Sequence, residues 1–205
     1  MPFFDPPLLT TSQFFGRYQG GEALVVGNGR SRLALDLWSL RRGKLLLACN
    51  GYYRDVLNGV VPPPDFLGAV DPDITGEIAW SIYPLHYYFI CTPESLRVSS
   101  IRLSSPPPRH PRIIEWDYLA QSLTGIEMIR FAAKAGCRKI LLCGFDGPGE
   151  DGDPPNCVYE GTANYNPTWS TPSPQRRQME LLLEEHPELQ LSQIGTNWLC
   201  CPCHV

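Results

Sequence analysis

The 205-residue chain has no basic excess: 17 Lys and Arg stand against 21 Asp and Glu, a formal net charge of −4. A generic electrostatic footprint for nucleic acid or an anionic membrane is therefore not expected, and a small polar substrate suits the balance better. No segment reaches the roughly 20 apolar residues that a membrane-spanning helix needs. Residues 1–21 lack the basic start and apolar centre of a secretory signal. These absences predict a soluble, cytosolic protein without a membrane partner. Internal repeats are also missing, so solenoids and propellers are excluded.

Cysteine is not scarce, at 8 residues, yet Cys49, Cys91, Cys137 and Cys143 lie in or beside apolar segments. That placement predicts reduced core thiols rather than a disulfide framework. Cys200, Cys201, Cys203 and His204 are soft metal-ligand types that could complete a zinc site with Cys157. Their spacing matches no zinc module, adjacent cysteines seldom share one ion, and an exposed tail is the plainer reading. With 43% hydrophobic and 19% charged residues the chain is globular, while 21 Pro and 18 Gly predict long shaped loops.

Local pattern predicts one α/β domain over residues 23–196, preceded by an arm at 1–22 and followed by a Cys-rich tail at 197–205. The apolar run at 23–26 ends at Gly27, and Ser31 is placed to cap a helix carrying Leu33, Leu35, Leu37 and Leu40. Strands are expected at 44–49 and 65–70, with a short helix between them at 53–58. Further strands are expected at 87–92 and 113–116, and a short helix at 94–98. The firmest unit is a helix at Thr124–Ala135, a stop at Gly136 and a strand at Lys139–Cys143. A long loop at 147–174, a helix at 175–185 and a strand at 189–194 complete the pattern. Alternating strands and helices predict a mostly parallel sheet flanked by helices, with long Pro- and Gly-rich loops.

In such a sheet ligands lie beyond the carboxyl ends of the strands. That rule gathers residues 27–31, Asn50 with Gly51, residues 71–73 and residues 144–146 into one crevice. Gly27, Asn28, Gly29, Arg30 and Ser31 join a strand to a helix and could present backbone N–H groups to a phosphate. A plain tight turn is the alternative. The third glycine of the dinucleotide fingerprint and the lysine of a P-loop are both absent, so nicotinamide and P-loop readings are set aside.

The segment Val25-Val26-Gly27-Asn28-Gly29-Arg30-Ser31, followed by Ala48-Cys49-Asn50, resembles the opening of the bacterial sialyltransferases of glycosyltransferase family 42. Pro64-Asp65-Phe66-Leu67-Gly68-Ala69-Val70-Asp71-Pro72 resembles the related Maf flagellin-glycosylation family, which shares its domain with 6-hydroxymethylpterin pyrophosphokinases. Leu123-Thr124-Gly125 and the stretch from Gly136 to Asp146 are similar to both. The resemblance implies a single Rossmann-like domain and a CMP-activated acidic sugar, or a related nucleotide-sugar, as donor to an unspecified acceptor. It implies nucleotide contacts from Asn28 and Asn50, a donor-holding turn at Thr124 and Gly125, and Asp146 in the same crevice, with no metal cofactor.

The sialyltransferases place a histidine in the loop before the last helix to take the acceptor proton. Asn164-Tyr165-Asn166-Pro167-Thr168-Trp169-Ser170 stands there instead. His86 and Asp146 are the substitute bases considered, with packing among Tyr83, Tyr87 and Tyr88 the other reading of His86. Tyr159 and Tyr165 could face the donor phosphate or pin the loop. Asp71 and Asp73 could hold Mg²⁺ for an ATP-dependent pyrophosphokinase, or accept hydrogen bonds from loop N–H groups. A nucleotide-binding module without catalysis is the third class considered. Acceptors of nucleic acid, reached through Arg30, Arg41, Arg42 and Arg54, rank below saccharides.

Overall fold

A computed structural model describes residues 9–106, 108–116, 123–146, 157–159, 161–163 and 172–194. Eight parallel strands form one sheet: β1 (Leu9–Thr10), β2 (Glu22–Val26), β3 (Leu45–Cys49), β4 (Phe66–Ala69), β5 (Phe89–Cys91), β6 (Ile113–Glu115), β7 (Lys139–Cys143) and β8 (Gln190–Ile194). Their order is β1-β6-β5-β4-β3-β2-β7-β8. The helices are α1 (Leu37–Leu40), α2 (Tyr52–Leu57), α3 (Pro72–Ala79), α4 (Tyr83–His86), α5 (Pro93–Leu103), α6 (Thr124–Ala135) and α7 (Pro172–Glu185). The expected single α/β domain with a parallel sheet is what the chain forms.

Both faces of the sheet are covered, which is why the central strands are apolar throughout. Ala23, Val25, Leu45, Leu47 and Phe66 pack with Met128, Ile129 and Phe131 of α6 and with Met179 and Leu182 of α7. Leu24, Val26, Leu46, Ala48 and Leu67 face the other way, onto Tyr52 and Val56 of α2, Ile74 and Ile78 of α3, and Leu96 of α5. The alternation is the two-residue period of a pleated strand. Among the described residues no helix is long and apolar enough to cross a membrane.

Several elements differ from the expectation. From residue 9 on, the segment expected as an arm does not merely lie on the domain: Leu9 and Thr10 pair with Ile114 and Glu115, and Phe14 packs edge-on against Phe66 at 5.0 Å. The helix expected after β2 is a 3-10 turn, Arg30–Ala34, followed by the single-turn α1. Leu33 and Leu37 have the four-residue spacing of a helical face, yet Leu33 is 66% exposed while Leu37 is buried, because the chain turns between them instead of continuing one helix. Asp36, not Ser31, caps α1 by accepting from Ser39 N at 3.1 Å. α3 was not expected, although Asp71 before Pro72 carries both a cap and the favoured first helical residue; the Asp71 carboxylate accepts from Asp73 N at 2.8 Å and Ile74 N at 3.4 Å. α5 is longer than 94–98: Thr92 caps its start, accepting from Ser95 N at 2.9 Å, and it runs on to a left-handed stop at Ser104, φ 49°. The tail at 197–205 lies outside the described residues.

Cys49, Cys91, Cys137, Cys143 and Cys157 are free and buried, as the reduced reading predicts for the first four. Burial disfavours the thiolate, pushing Cys49 and Cys143 up to about 12 and Cys137 up to about 11 from an ordinary 9.0. The folded chain then holds these protons more tightly than the unfolded one. Their stabilising contribution is complete below pH 9.0 and is lost as the pH rises through 11 and 12. Buried Tyr52 and Tyr83, shifted upward for the same cause, act in the same direction. Thermal unfolding followed by circular dichroism should show a midpoint that falls across this alkaline window, with these thiols unreactive to a disulfide reagent until unfolding. A flat alkaline profile would contradict the account.

Candidate active site at the carboxyl edge of the sheet

From β2 the strand order runs outward through β3, β4, β5 and β6 to β1, and on the other side through β7 to β8. The reversal lies between β2 and β7, so a crevice opens above their carboxyl ends. Two glycine turns meet there. Gly27 N donates to Cys143 O at 2.8 Å and Gly29 N to Gly144 O at 2.8 Å. A Cβ on Gly27 would lie 2.3 Å from Gly144 O, so the two backbones can approach only without a side chain.

Asp146 locks the crossing. Its buried carboxylate accepts from Ser31 N at 2.7 Å and from the Ser31 hydroxyl. The N–H groups of Gly27, Gly29 and Ser31 are thereby committed to the end of β7. The turn is a clasp between two strands. Arg30 is exposed beside it.

A helix N-terminus does remain at this edge. α6 starts at Thr124 with no side-chain cap hydrogen bond, whereas α3 and α5 are capped by Asp71 and Thr92. Thr124 is buried, and Gly125 lies against Phe145, which follows β7. The first-turn N–H groups of a helix have no acceptor within it and carry a partial positive charge. Across the crevice Asn50 ends β3 in a left-handed conformation, φ 51°, a region asparagine tolerates better than most residues. Its N–H donates to Gly68 O at 2.8 Å, while its buried Oδ1 has no hydrogen-bond partner among the described residues. Asn28 Nδ2 lies 3.9 Å from Cys49 Sγ, between β2 and β3.

Residues 157–159 and 161–163 arrive over this edge from far along the chain. Val158 N donates to Asn28 O at 2.8 Å, Cys157 bridges Gly29, and Gly51 lies against the Tyr159 ring. The Tyr159 hydroxyl donates to Asp55 at 2.6 Å and accepts from Arg32 at 2.5 Å, and Arg32 also pairs with Asp55 at 2.6 Å. Arg32 is 2% exposed, with its guanidinium 5.2 Å from the Tyr52 ring centre and 5.3 Å from that of Tyr159. Burial works to lower the Arg32 pKa, but Tyr159 and Asp55 outweigh it and the net direction is upward. Tyr159 is pushed up by its burial, so the phenol stays protonated and donates. Arg54 forms a forked pair with Glu77 and donates to Thr162 Oγ1 at 2.5 Å and Ala163 O at 2.5 Å. Tyr159 is thus a pin for the loop. Arg32 and Asp55 escaped the sequence reading because their partner stands more than a hundred positions away and nothing local marks them as buried.

Other expected residues do not join the crevice. His86 is exposed at the end of α4 and precedes β5, which puts it at the amino edge of the sheet, the wrong end for a base. His110 and His186 likewise precede β6 and β8. Asp71 is occupied as a cap and Asp73 pairs with Arg102. Among the described residues no group of three or more His, Cys, Asp or Glu side chains is placed to hold a metal ion. The basic groove splits: Arg41 and Arg42 precede β3 at the amino edge, while Arg30 and Arg54 follow β2 and β3 at the carboxyl edge. Tyr165 lies outside the described residues.

No protein-family model matches the sequence, and no curated protein matches it closely enough to be counted a relative. Solved structures do match in shape. The sialyltransferase CstII from Campylobacter jejuni, in complex with the substrate analogue CMP-3FNeuAc, superposes with a TM-score of 0.58 at 14% identity, over 85% of this chain and 82% of that one. The monofunctional α-2,3-sialyltransferase Cst-I from the same organism gives a TM-score of 0.61 at 12% identity, over 94% and 80%. CstII in complex with a trisaccharide acceptor and CMP gives 0.51 at 13% identity, over 89% and 84%. The fold is shared with these enzymes. At such identities the likeness concerns the path of the chain and not its side chains.

Replacing Asp55 with alanine leaves the Arg32 guanidinium buried without its carboxylate, a change that costs about 3 kcal/mol or more. The Asp55→Ala variant should show that loss in urea unfolding and faster proteolysis within residues 157–163. Arg32→Met, which removes the charge as well, should be the milder change. The reverse ranking would contradict a buried ion pair as the source of the effect.

Proposed function

We propose that the crevice binds a CMP-activated acidic sugar and transfers the sugar to a hydroxyl of a saccharide acceptor. The observation that carries this reading is the pairing of the uncapped N-terminus of α6 with the unsatisfied Asn50 Oδ1 across the β2/β7 switch point. One end offers N–H groups to a phosphate and the other an acceptor to a base or sugar N–H or O–H. The shared fold with enzymes whose structures contain CMP and an acceptor supports the same reading.

In the proposed reaction the acceptor oxygen attacks the anomeric carbon as the bond from that carbon to the phosphate oxygen breaks. CMP leaves with the electron pair, and the acceptor proton passes to a base. Thr124 and Gly125 at the start of α6 would stabilise charge gathering on the leaving phosphate, without a metal ion. Asn28, Asn50 and Gly51 would hold the nucleoside, and Arg30 would flank the donor. Asp146 acts through Ser31 as a positioning residue, since both its oxygens are engaged. His86 has no part in the scheme, because the described histidines all precede strands at the opposite edge.

Thermal stabilisation tests the binding step, since a ligand of the folded state raises the midpoint. CMP and CMP-3FNeuAc should each raise it in the presence of a chelator. Asn50→Gly keeps the left-handed backbone and deletes the amide, so it should weaken CMP by about tenfold, the effect of one lost buried hydrogen bond, while leaving the ligand-free midpoint near that of the parent. Release of CMP from a CMP-activated acidic sugar in the presence of a saccharide would then show turnover. Stabilisation by ATP only with Mg²⁺ would overturn the proposal in favour of pyrophosphoryl transfer, and binding of CMP without any turnover would reduce it to a nucleotide-binding module.

A further inference from the structure

The amino edge of the sheet carries a second concavity. A cleft of about 680 Å³ opens there, lined by Arg17, Tyr18, Gln19, Trp38, Arg42 and Lys44 among others. Its residues lie on the segments that lead into β2, β3 and β4, the reverse side from the switch-point crevice. Nothing in the proposed transfer reaction uses it.

The charge of the cleft runs against that of the chain. Arg17, Arg41, Arg42 and Lys44 face only Glu22 and Asp65 among its lining residues, in a protein of net charge −4. Both carboxylates already have cations: Glu22 has Lys44 at 3.8 Å and Lys139 at 3.6 Å, and Asp65 has Arg41 at 3.7 Å. Arg41 is further committed to Pro63 O at 2.7 Å. Arg42 is exposed and its guanidinium is in no ion-pair or hydrogen-bond contact among the described residues, although, after the hydrogen bonds from Ser39, its charge helps to lower the Asp36 carboxyl. Arg17 is exposed too, resting over the Phe14 ring at 4.9 Å. Two exposed guanidinium groups with no carboxylate at ion-pair distance among the described residues, on separate segments of the chain, therefore line one cleft.

Beside them stands Trp38, 54% exposed. Its outward position is set locally, because Leu37 is buried beneath α1 and the Asp36 cap fixes that turn through Ser39 N at 3.1 Å and Ser39 Oγ at 2.6 Å. An indole face packs well on the C–H face of a sugar ring, and an Arg pair matches the two negative charges and three oxygens of a phosphomonoester. Gln19 and the Tyr18 hydroxyl supply polar groups for ring hydroxyls. A long polyanion would be repelled by the rest of the surface, whereas one phosphate meets only the local field.

We propose that this cleft binds the phosphate-bearing end of a saccharide, at a site separate from the nucleotide crevice. The proposal does not rest on the transfer reaction. Isothermal titration with glucose 6-phosphate, glucose and inorganic phosphate tests it on the full chain. Glucose 6-phosphate should bind saturably in the millimolar range or tighter, and each fragment alone at least about tenfold more weakly, as expected when a charged contact and a stacked ring act together. Trp38→Ala and Arg42→Ala are surface changes that should keep the thermal midpoint and each lower the affinity by about tenfold. Added CMP and the Asn50→Gly change should leave the binding unaltered, so this site and the crevice fail or stand independently. Absence of saturable binding, equal affinity for inorganic phosphate, or insensitivity to both substitutions would overturn the proposal. So would binding of a thymidine oligonucleotide in preference to the sugar phosphate, which would mark the cleft as a nucleic-acid surface.

Discussion

The close crossing of two backbones above β2 and β7 is the constraint on which the candidate site depends. Gly27 and Gly144 pass within a distance that no side chain would allow, and Asp146 ties the two turns through Ser31. That crossing puts the end of β7 against the start of α6, with Phe145 wedged between Gly27 and Gly125. It also decides which backbone N–H groups a ligand can meet. The Gly27–Ser31 stretch looks like a phosphate cradle in isolation, but in the fold the N–H groups of Gly27, Gly29 and Ser31 face protein oxygens.

A second layer of the site depends on charge hidden from solvent. Arg32 sits between two aromatic rings and against one carboxylate, which fixes the position of Tyr159 and so of the segment covering Asn28 and Gly51. Replacing such an ensemble by apolar residues could be just as stable. What the ion pair adds is direction, since a guanidinium hydrogen-bonded at set angles admits one arrangement of the loop where an oily contact would admit several.

The parts of the fold visible in the sequence are those governed by neighbours along the chain. β3, β7 and α6 announce themselves through unbroken apolar runs, a helical period and the stop at Gly136, and they emerge within a residue of the expected bounds. α3 could have been read from Asp71 and Pro72. The helix foreseen after β2 fails because Ser31 is bound by a residue over a hundred positions later, and a propensity argument contains no such term. For the site, the gathering of Asn28, Asn50, Thr124 and Asp146 at one edge follows from strand polarity alone. The orientation of His86 follows from the same rule, since a residue preceding a parallel strand belongs to the other edge. The ion-paired pin of Tyr159 had no local signature at all.

The pairing of β1 has a consequence for how the molecule comes together. Leu9 and Thr10 find their partners only at Ile114 and Glu115, and Phe14 packs against Phe66 and Phe131. Leu9 and Thr10 are therefore synthesised before the strand that pairs with them, and dock only after β6 and α6 exist to receive them. Until then a short apolar segment waits in solvent, and the outer margin of the growing sheet stays open to any other strand that could pair there. The order of translation and the order of assembly are opposed at that edge, since β1 precedes β6 along the chain and follows it into the sheet.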